Sequence, residues 1–284
     1  MTSSQTRLPD GTLELAIRVP WEDIKKEYTA VVGDFVQGSQ MPGFRRGKAP
    51  RKLVEEKLDK TKTYEEVLKR VIPKVYNDAV TQEKIKPVVT PKVELLEAHE
   101  GKDWVIKAIT CEKPLLTIGD YKKALRSLSR DKKNKIWIPG ETKKDEEDKP
   151  QKPTLDEVVP ALLSVVTSTI PAILLDHEVN RLLSDLIDQT KKLGLTVEQY
   201  LASTGRTGES LRKEYEDQAR RTIILELALE EIADKESIIL SDDDIEAVLK
   251  TAKSDEERKT LESQRYYLAS LLRRQKTLDM LAGL

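Results

Sequence analysis

An α+β fold is what the sequence predicts: an N-terminal α+β domain, with a small antiparallel sheet and long helices, followed by an all-α C-terminal domain. Three observations lead there. Leu13, Leu15, Ile17 and Val19 alternate with more polar residues, the period of a half-buried strand. The next apolar positions, Trp21, Ile24, Tyr28, Val31, Val32 and Phe35, change to helical spacing. From Thr154 to the last residue everything reads as helix, with leucine and isoleucine far outnumbering aromatics.

The elements follow in order. Pro20 suits the first turn of the helix after the opening strand. A short helix is expected near Pro50 to Leu58. A longer one, about Thr63 to Glu83, has Tyr64, Val67, Leu68, Val71, Ile72, Val75, Ala79 and Val80 on one stripe. Pro73 lies inside it and is expected to kink or divide it. Strands at Lys92–Glu97 and Trp104–Glu112, joined by a turn through Glu100-Gly101-Lys102, close this half. Between Ser129 and Pro153 the sequence turns to Lys, Asp, Glu, Pro and Gly, and Ile136-Trp137-Ile138 is almost all it has to bury, so it reads as a linker.

In the second half, a helix begins near Leu155. Another follows Pro171 with Ile173, Leu174, Leu182, Leu183, Leu186 and Ile187. Thr196 caps a short helix through Leu201, and a long one runs from about Thr207 to Ala233. Ser241 with Asp242, Asp243 and Asp244 opens the next, where a cap and acids suit a helix N-terminus. The last is expected as one piece from Asp255 to Ala282.

Composition narrows the function. At 284 residues the chain can hold two ordinary domains. Charged residues are 35% and aromatics 5%, which favours solvated helices over a compact aromatic-rich enzyme. No apolar run is long enough to span a membrane, and Met1–Asp10 lacks the apolar stretch of a secretory signal. One cysteine, Cys111, excludes an internal disulfide. A cytoplasmic protein with no membrane partner is expected. Net charge is −1, but residues 154–284 hold 17 Lys+Arg against 25 Asp+Glu, leaving 32 against 25 for residues 1–153. The basic half is the candidate for a nucleic-acid partner.

The search for catalytic motifs finds none. His177 lies in Asp176-His177-Glu178-Val179-Asn180-Arg181, where a zinc peptidase needs a second histidine in place of Arg181. Gly205-Arg206-Thr207-Gly208-Glu209-Ser210 loosely resembles a phosphate loop but lacks its lysine and follows a helix; a turn capped by Thr207 explains it better. Cys111 sits on an expected strand and reads as a buried structural thiol. No metal and no cofactor are expected, and no catalytic residue is assigned.

Gly43-Phe44-Arg45-Arg46-Gly47-Lys48-Ala49-Pro50 is the informative stretch. Its glycines and proline keep it out of the flanking helices. Phe44 stands beside Arg45, Arg46 and Lys48 with no apolar neighbour. An aromatic among cations on a projecting loop suits RNA: the cations meet phosphates and the ring stacks or fills a small pocket. A solvated charged turn is the other reading of such a cluster taken alone.

That loop, preceded by Val19-Pro20 and its helix and followed by Arg51-Lys52-Leu53, closely resembles the ribosome-binding domain of trigger factor, the bacterial nascent-chain chaperone. The resemblance continues through Lys86-Pro87-Val88 to Lys113-Pro114. Ile170-Pro171 with Leu175-Asp176-His177-Glu178-Val179 resembles the start of the family's chaperone domain. Leu195-Thr196-Val197-Glu198-Gln199-Tyr200-Leu201, the Thr204-Gly205 turn and Gln218-Ala219-Arg220-Arg221 resemble its interior. The resemblance implies a ribosome-binding domain at 1–115, a linker at 116–153 replacing the isomerase domain, and a helical substrate-binding domain at 154–284. Many members insert an FKBP-type peptidyl-prolyl isomerase domain at that middle position. About a hundred residues are needed for such a domain, so isomerase activity is expected to be absent.

By the same resemblance, Gly43, Phe44, Arg45, Arg46, Gly47 and Lys48 bind the ribosome, contacting an exit-tunnel ribosomal protein and ribosomal RNA but not DNA. The helical half shields apolar segments of unfolded or nascent polypeptides without nucleotide. The alternative is a ribosome- or RNA-associated adaptor whose helical domain binds one specific protein. Neither reading fixes the oligomeric state.

Overall fold

The computed structural model describes residues 1–39, 44, 45, 47, 50–133, 153–250 and 254–284. The chain divides into two compact units. The first comprises Met1–Pro114 with Ile170–His177, the second Leu115–Thr169 with Glu178–Leu284.

In the first unit, β1 (Thr2–Arg7) and β2 (Thr12–Val19) lead into helices α1 (Trp21–Gly38), α2 (Arg51–Lys57) and α3 (Lys60–Gln82). Then come β3 (Lys92–Glu97) and β4 (Trp104–Cys111). The four strands form one antiparallel sheet in the order β1-β2-β4-β3. Register sets the core: Leu15, Ile17 and Val19 lie opposite Ala108, Ile106 and Trp104, all buried. Period-two alternation puts these side chains on one face of the sheet. Ile24 and Val31 of α1 and Val67, Val71 and Ala79 of α3 join the same core. Tyr64 bridges the layers, its ring 5.2 Å from Tyr28 and 5.7 Å from Trp104 between centroids.

Of the two outcomes expected at Pro73, division does not occur: α3 runs unbroken from the cap at Asp59. Pro73 is exposed, while the buried stripe on either side of it keeps both halves on one core. The strand β1 had no counterpart in the sequence reading. Its side chains are exposed on both faces apart from Ser3, so no alternation marks it.

The second unit opens with β5 (Leu116–Ile118) and α4 (Tyr121–Lys133), inside the stretch read as linker. Tyr121 and Leu125 are buried there, with Leu128 packed against the same core. The rest of that stretch, with Trp137, lies outside the described residues. After α5 (Leu155–Ser164) the chain forms β6 (Val166–Ser168), a short strand paired antiparallel with β5 where only helix was expected. The β-branched run Val165-Val166-Thr167 favours it. Gly119 donates to the Val165 carbonyl at 2.8 Å, and a Cβ on it would come within 3.1 Å of that oxygen.

Five of the remaining helices are α6 (Ala172–Lys192), α7 (Val197–Thr204), α8 (Gly208–Lys235), α9 (Asp242–Leu249) and α10 (Asp255–Ser263). The last is α11 (Arg265–Ala282). The segment read as a single final helix is therefore two, separated at Gln264 (φ −104°, ψ 19°). Thr196, Thr207 and Ser241 cap α7, α8 and α9, each accepting from the backbone N–H three residues on. Val158, Leu162, Ala228, Leu229, Ile232 and Leu281 form the centre of the core.

Candidate functional site

The loop between α1 and α2 is drawn closed at its base. Past α1, Ser39 is extended, and its hydroxyl donates to the Val36 carbonyl at 2.9 Å. The Ser39 carbonyl in turn accepts from the Gly47 N–H at 3.1 Å. Gly47 has φ +74°, and a Cβ there would lie 3.0 Å from the Gln37 carbonyl oxygen. Both the backbone region and the space call for glycine. Pro50 then accepts from the Leu53 and Val54 N–H groups to start α2, and buried Val54 anchors that helix.

On this closed loop Phe44 is 42% exposed and Arg45 is exposed. Among the described residues no carboxylate lies within ion-pair distance of Arg45. Nearby Arg51 differs: it reaches the Thr29 carbonyl at 3.4 Å and Glu55 at 3.9 Å. Of the six loop residues expected to bind, Phe44 and Arg45 are exposed and Gly47 lies at the loop's base, while Gly43, Arg46 and Lys48 lie outside the described residues. A ring and an unpaired guanidinium in solvent can stack on or fill a pocket and neutralise phosphate or carboxylate.

The helical unit contributes grooves that the sequence did not resolve. One, of about 540 Å³, is walled by Leu229, Ala233, Ile238, Ile239 and Tyr266. Ile239 is 82% exposed and Tyr266 91% exposed. Its basic rim is held: Arg273 donates to Asp234 at 2.6 Å and to the Ile238 carbonyl at 2.9 Å, and Arg274 to Glu226 at 2.6 Å. A second groove, of about 900 Å³, has Val159, Pro160 and Leu163 of α5 facing Asp217, Arg221 and Leu225 of α8. Periodicity could not separate such residues from core. One signal existed: Ile238-Ile239-Leu240 is an apolar run in a connector, with no helix face to bury it.

The residues weighed for catalysis are dispersed. His177 Nε2 lies 3.0 Å from the Thr90 carbonyl on an exposed face of α6. Gly205, at φ +65°, ends α7, and Thr207 caps α8. Among the described residues no three His, Cys, Asp or Glu side chains gather into a metal-holding group. No described helix is long and apolar enough to cross a membrane. Cys111 is buried, and burial first, then the charge of Asp10, pushes its thiol up to about 11. At pH 8 iodoacetamide should therefore alkylate the folded chain about a hundredfold more slowly than the unfolded one, since the thiolate is the nucleophile. Equal rates, read by mass spectrometry, would put that sulfur at the surface.

Comparison with known proteins adds lineage to this geometry. Residues 1–134 match the family model described as bacterial trigger factor protein (TF), and residues 138–283 match the bacterial trigger factor protein (TF) C-terminus. Trigger factor of Pelotomaculum thermopropionicum is 34% identical over 122 residues, 43% of this chain and 28% of that one. For Desulforudis audaxviator the identity is 33% over the same length and the same shares. For Staphylococcus aureus it is 32% over 108 residues, 38% and 25% of the two chains. The aligned stretch is thus little more than a quarter of these curated relatives. A solved structure from work on promiscuous substrate recognition in folding and assembly by the trigger factor chaperone superposes with a TM-score of 0.64. It covers 100% of this chain and 99% of that one at 14% identity, a likeness of fold.

Proposed function

The chain belongs to the trigger factor family, and on that premise we propose that it is an ATP-independent chaperone docking at the ribosomal exit tunnel and shielding apolar segments of nascent chains. The observation that carries this reading is the closed loop with Phe44 and Arg45 in solvent and no carboxylate on Arg45 among the described residues. In it, Phe44, Arg45 and Arg46 meet ribosomal RNA and an exit-tunnel ribosomal protein, with Lys48 supporting and Gly43 and Gly47 shaping the loop. Residues 1–115 act as the ribosome-binding domain and residues 154–284, apart from the Ile170–His177 segment that belongs with the first unit, as the client-binding domain, working in the cytoplasm.

The exposed apolar groove beside Ile239 and Tyr266 supports the second step. Covering apolar surface is worth about 25 cal/mol per Å² before ordering costs. With Ile239 and Tyr266 largely exposed, the groove offers apolar surface that a client covers reversibly, beside the ion pairs of Arg273 and Arg274. The two family matches are separated only by residues 135–137, too few for an isomerase domain, so the reading carries no enzymatic step.

Aggregation assays test the client step. The chain should delay aggregation of several unrelated unfolded proteins at near-stoichiometric ratio without nucleotide. Protection of one protein alone would make it a dedicated adaptor instead. Proline-peptide isomerisation should run at the uncatalysed rate; acceleration by the full chain would remove the non-enzymatic reading.

A further inference from the structure

We infer that the outer edge of β1 captures extended backbone from unfolded polypeptide, adding it to the sheet as a fifth strand; this rests on the chaperone reading above. β1 ends the strand order and pairs with β2 alone, through Thr2–Arg7 against Leu13–Arg18. Among the described residues, no backbone hydrogen bond leaves its other side. In an antiparallel strand alternate residues turn their N–H and C=O groups away from the partner. About half of the six therefore offer theirs outward.

The opposite edge shows what protection looks like. β3 breaks register between Leu95 and Glu97 and carries Lys92, Glu94 and Glu97. Bulges and charges of this kind keep sheet edges from pairing. β1 has no such device. Thr2-Ser3-Ser4-Gln5-Thr6 holds no charge and no proline, and its register with β2 is unbroken. The one charge, Arg7, is at the end and is occupied by Glu112 at 2.6 Å. Ser3 donates to Glu83 at 2.7 Å, tying the strand down on its inner side.

Area and polarity select the occupant. Pairing along six residues buries on the order of a few hundred Å², well short of the 1,200–2,000 Å² or so of stable specific interfaces. Exposed Thr2, Ser4, Gln5 and Thr6 give a second copy no apolar core to close on. A single extended backbone needs neither. It gains a few amide hydrogen bonds, and small hydroxylic neighbours impose no side-chain preference. The edge thus holds clients by backbone where the groove holds them by apolar side chains.

Hydrogen–deuterium exchange on the full chain tests this, with reduced, carboxymethylated α-lactalbumin as a permanently unfolded probe. Exchange across residues 2–7 should slow by about fivefold on saturation, the effect of one typical net hydrogen bond. The Ser4→Lys/Thr6→Lys variant should lose that slowing while β2 stays as protected as before. Because the lysines could loosen β1 itself, an extended peptide and its alternately N-methylated twin provide a second arm; only the unmethylated peptide should protect residues 2–7. Unchanged exchange there while the chain still delays aggregation overturns the edge site and leaves the chaperone reading standing. Failure to bind any unfolded probe overturns both. Slowing that tracks chain concentration without a probe assigns the edge to a second copy, and this too overturns the inference.

Discussion

A chain carrying Phe44→Ala, Arg45→Ala and Arg46→Ala is expected to stay in the supernatant when ribosomes are pelleted under conditions that carry wild type down. The two kinds of side chain should fail in separable ways. Each arginine facing a phosphate releases condensed counterions on docking, so its loss lowers the slope of log K against log salt by roughly 0.7–0.9. Arg45→Ala/Arg46→Ala should therefore flatten the salt dependence by somewhat under two. Phe44→Ala alone should leave that slope unchanged and remove about 1–3 kcal/mol of ring contact. Together the three losses amount to about a hundredfold or more in affinity. A triple variant that pellets like wild type at moderate salt would mean that another surface anchors the chain. Gly47 offers a control, since a side chain there opposes its φ of +74° and crowds the Gln37 carbonyl. Gly47→Val should weaken pelleting by deforming the loop without removing any cation from the chain.

The second large effect is on stability. Ile17→Ala removes a side chain that is 1% exposed and paired across β2 and β4 with Ile106, also 1% exposed. The cavity it leaves is roofed by α1 and α3, whose buried stripes cannot both collapse onto the sheet. A loss of about 2–5 kcal/mol is expected, a large part of the total for a typical domain. Urea unfolding followed by Trp104 fluorescence should show the midpoint move, because the ring lies in the same core. Ala16→Ser, one residue away on the exposed face, should change it by less than about 0.5 kcal/mol. Similar shifts for the two would mean that β2 does not have a buried and an open side.

Much of this architecture was legible because burial leaves a period. Leu13 to Val19 alternate as a one-sided strand must, and Val67, Val71, Val75 and Ala79 recur as one helix face must. Caps were equally readable, since Thr196, Thr207 and Ser241 combine residue type with position. What escaped has no period to leave. β1 is wet on both faces, and β6 is three residues long, too short for either template. At the loop, residue types pointed to a basic aromatic tip, but the Gly47–Ser39 hydrogen bond that closes it joins positions no local pattern links. The grooves of the helical unit were hidden for a related reason: Leu229 lines a groove and is also 3% exposed core, so one side chain serves both.

The first unit is discontinuous in sequence: Ile170–His177 belongs with Met1–Pro114. Asp10 accepts from the Ala172 N–H at 3.0 Å, Pro171 Cγ lies 3.5 Å from where a Cβ on Gly11 would stand, and His177 meets the Thr90 carbonyl. Excising the amino-terminal half at Pro114 would therefore strip a docked octapeptide from its own fold. A fragment meant to stand alone should carry those eight residues back through a short graft.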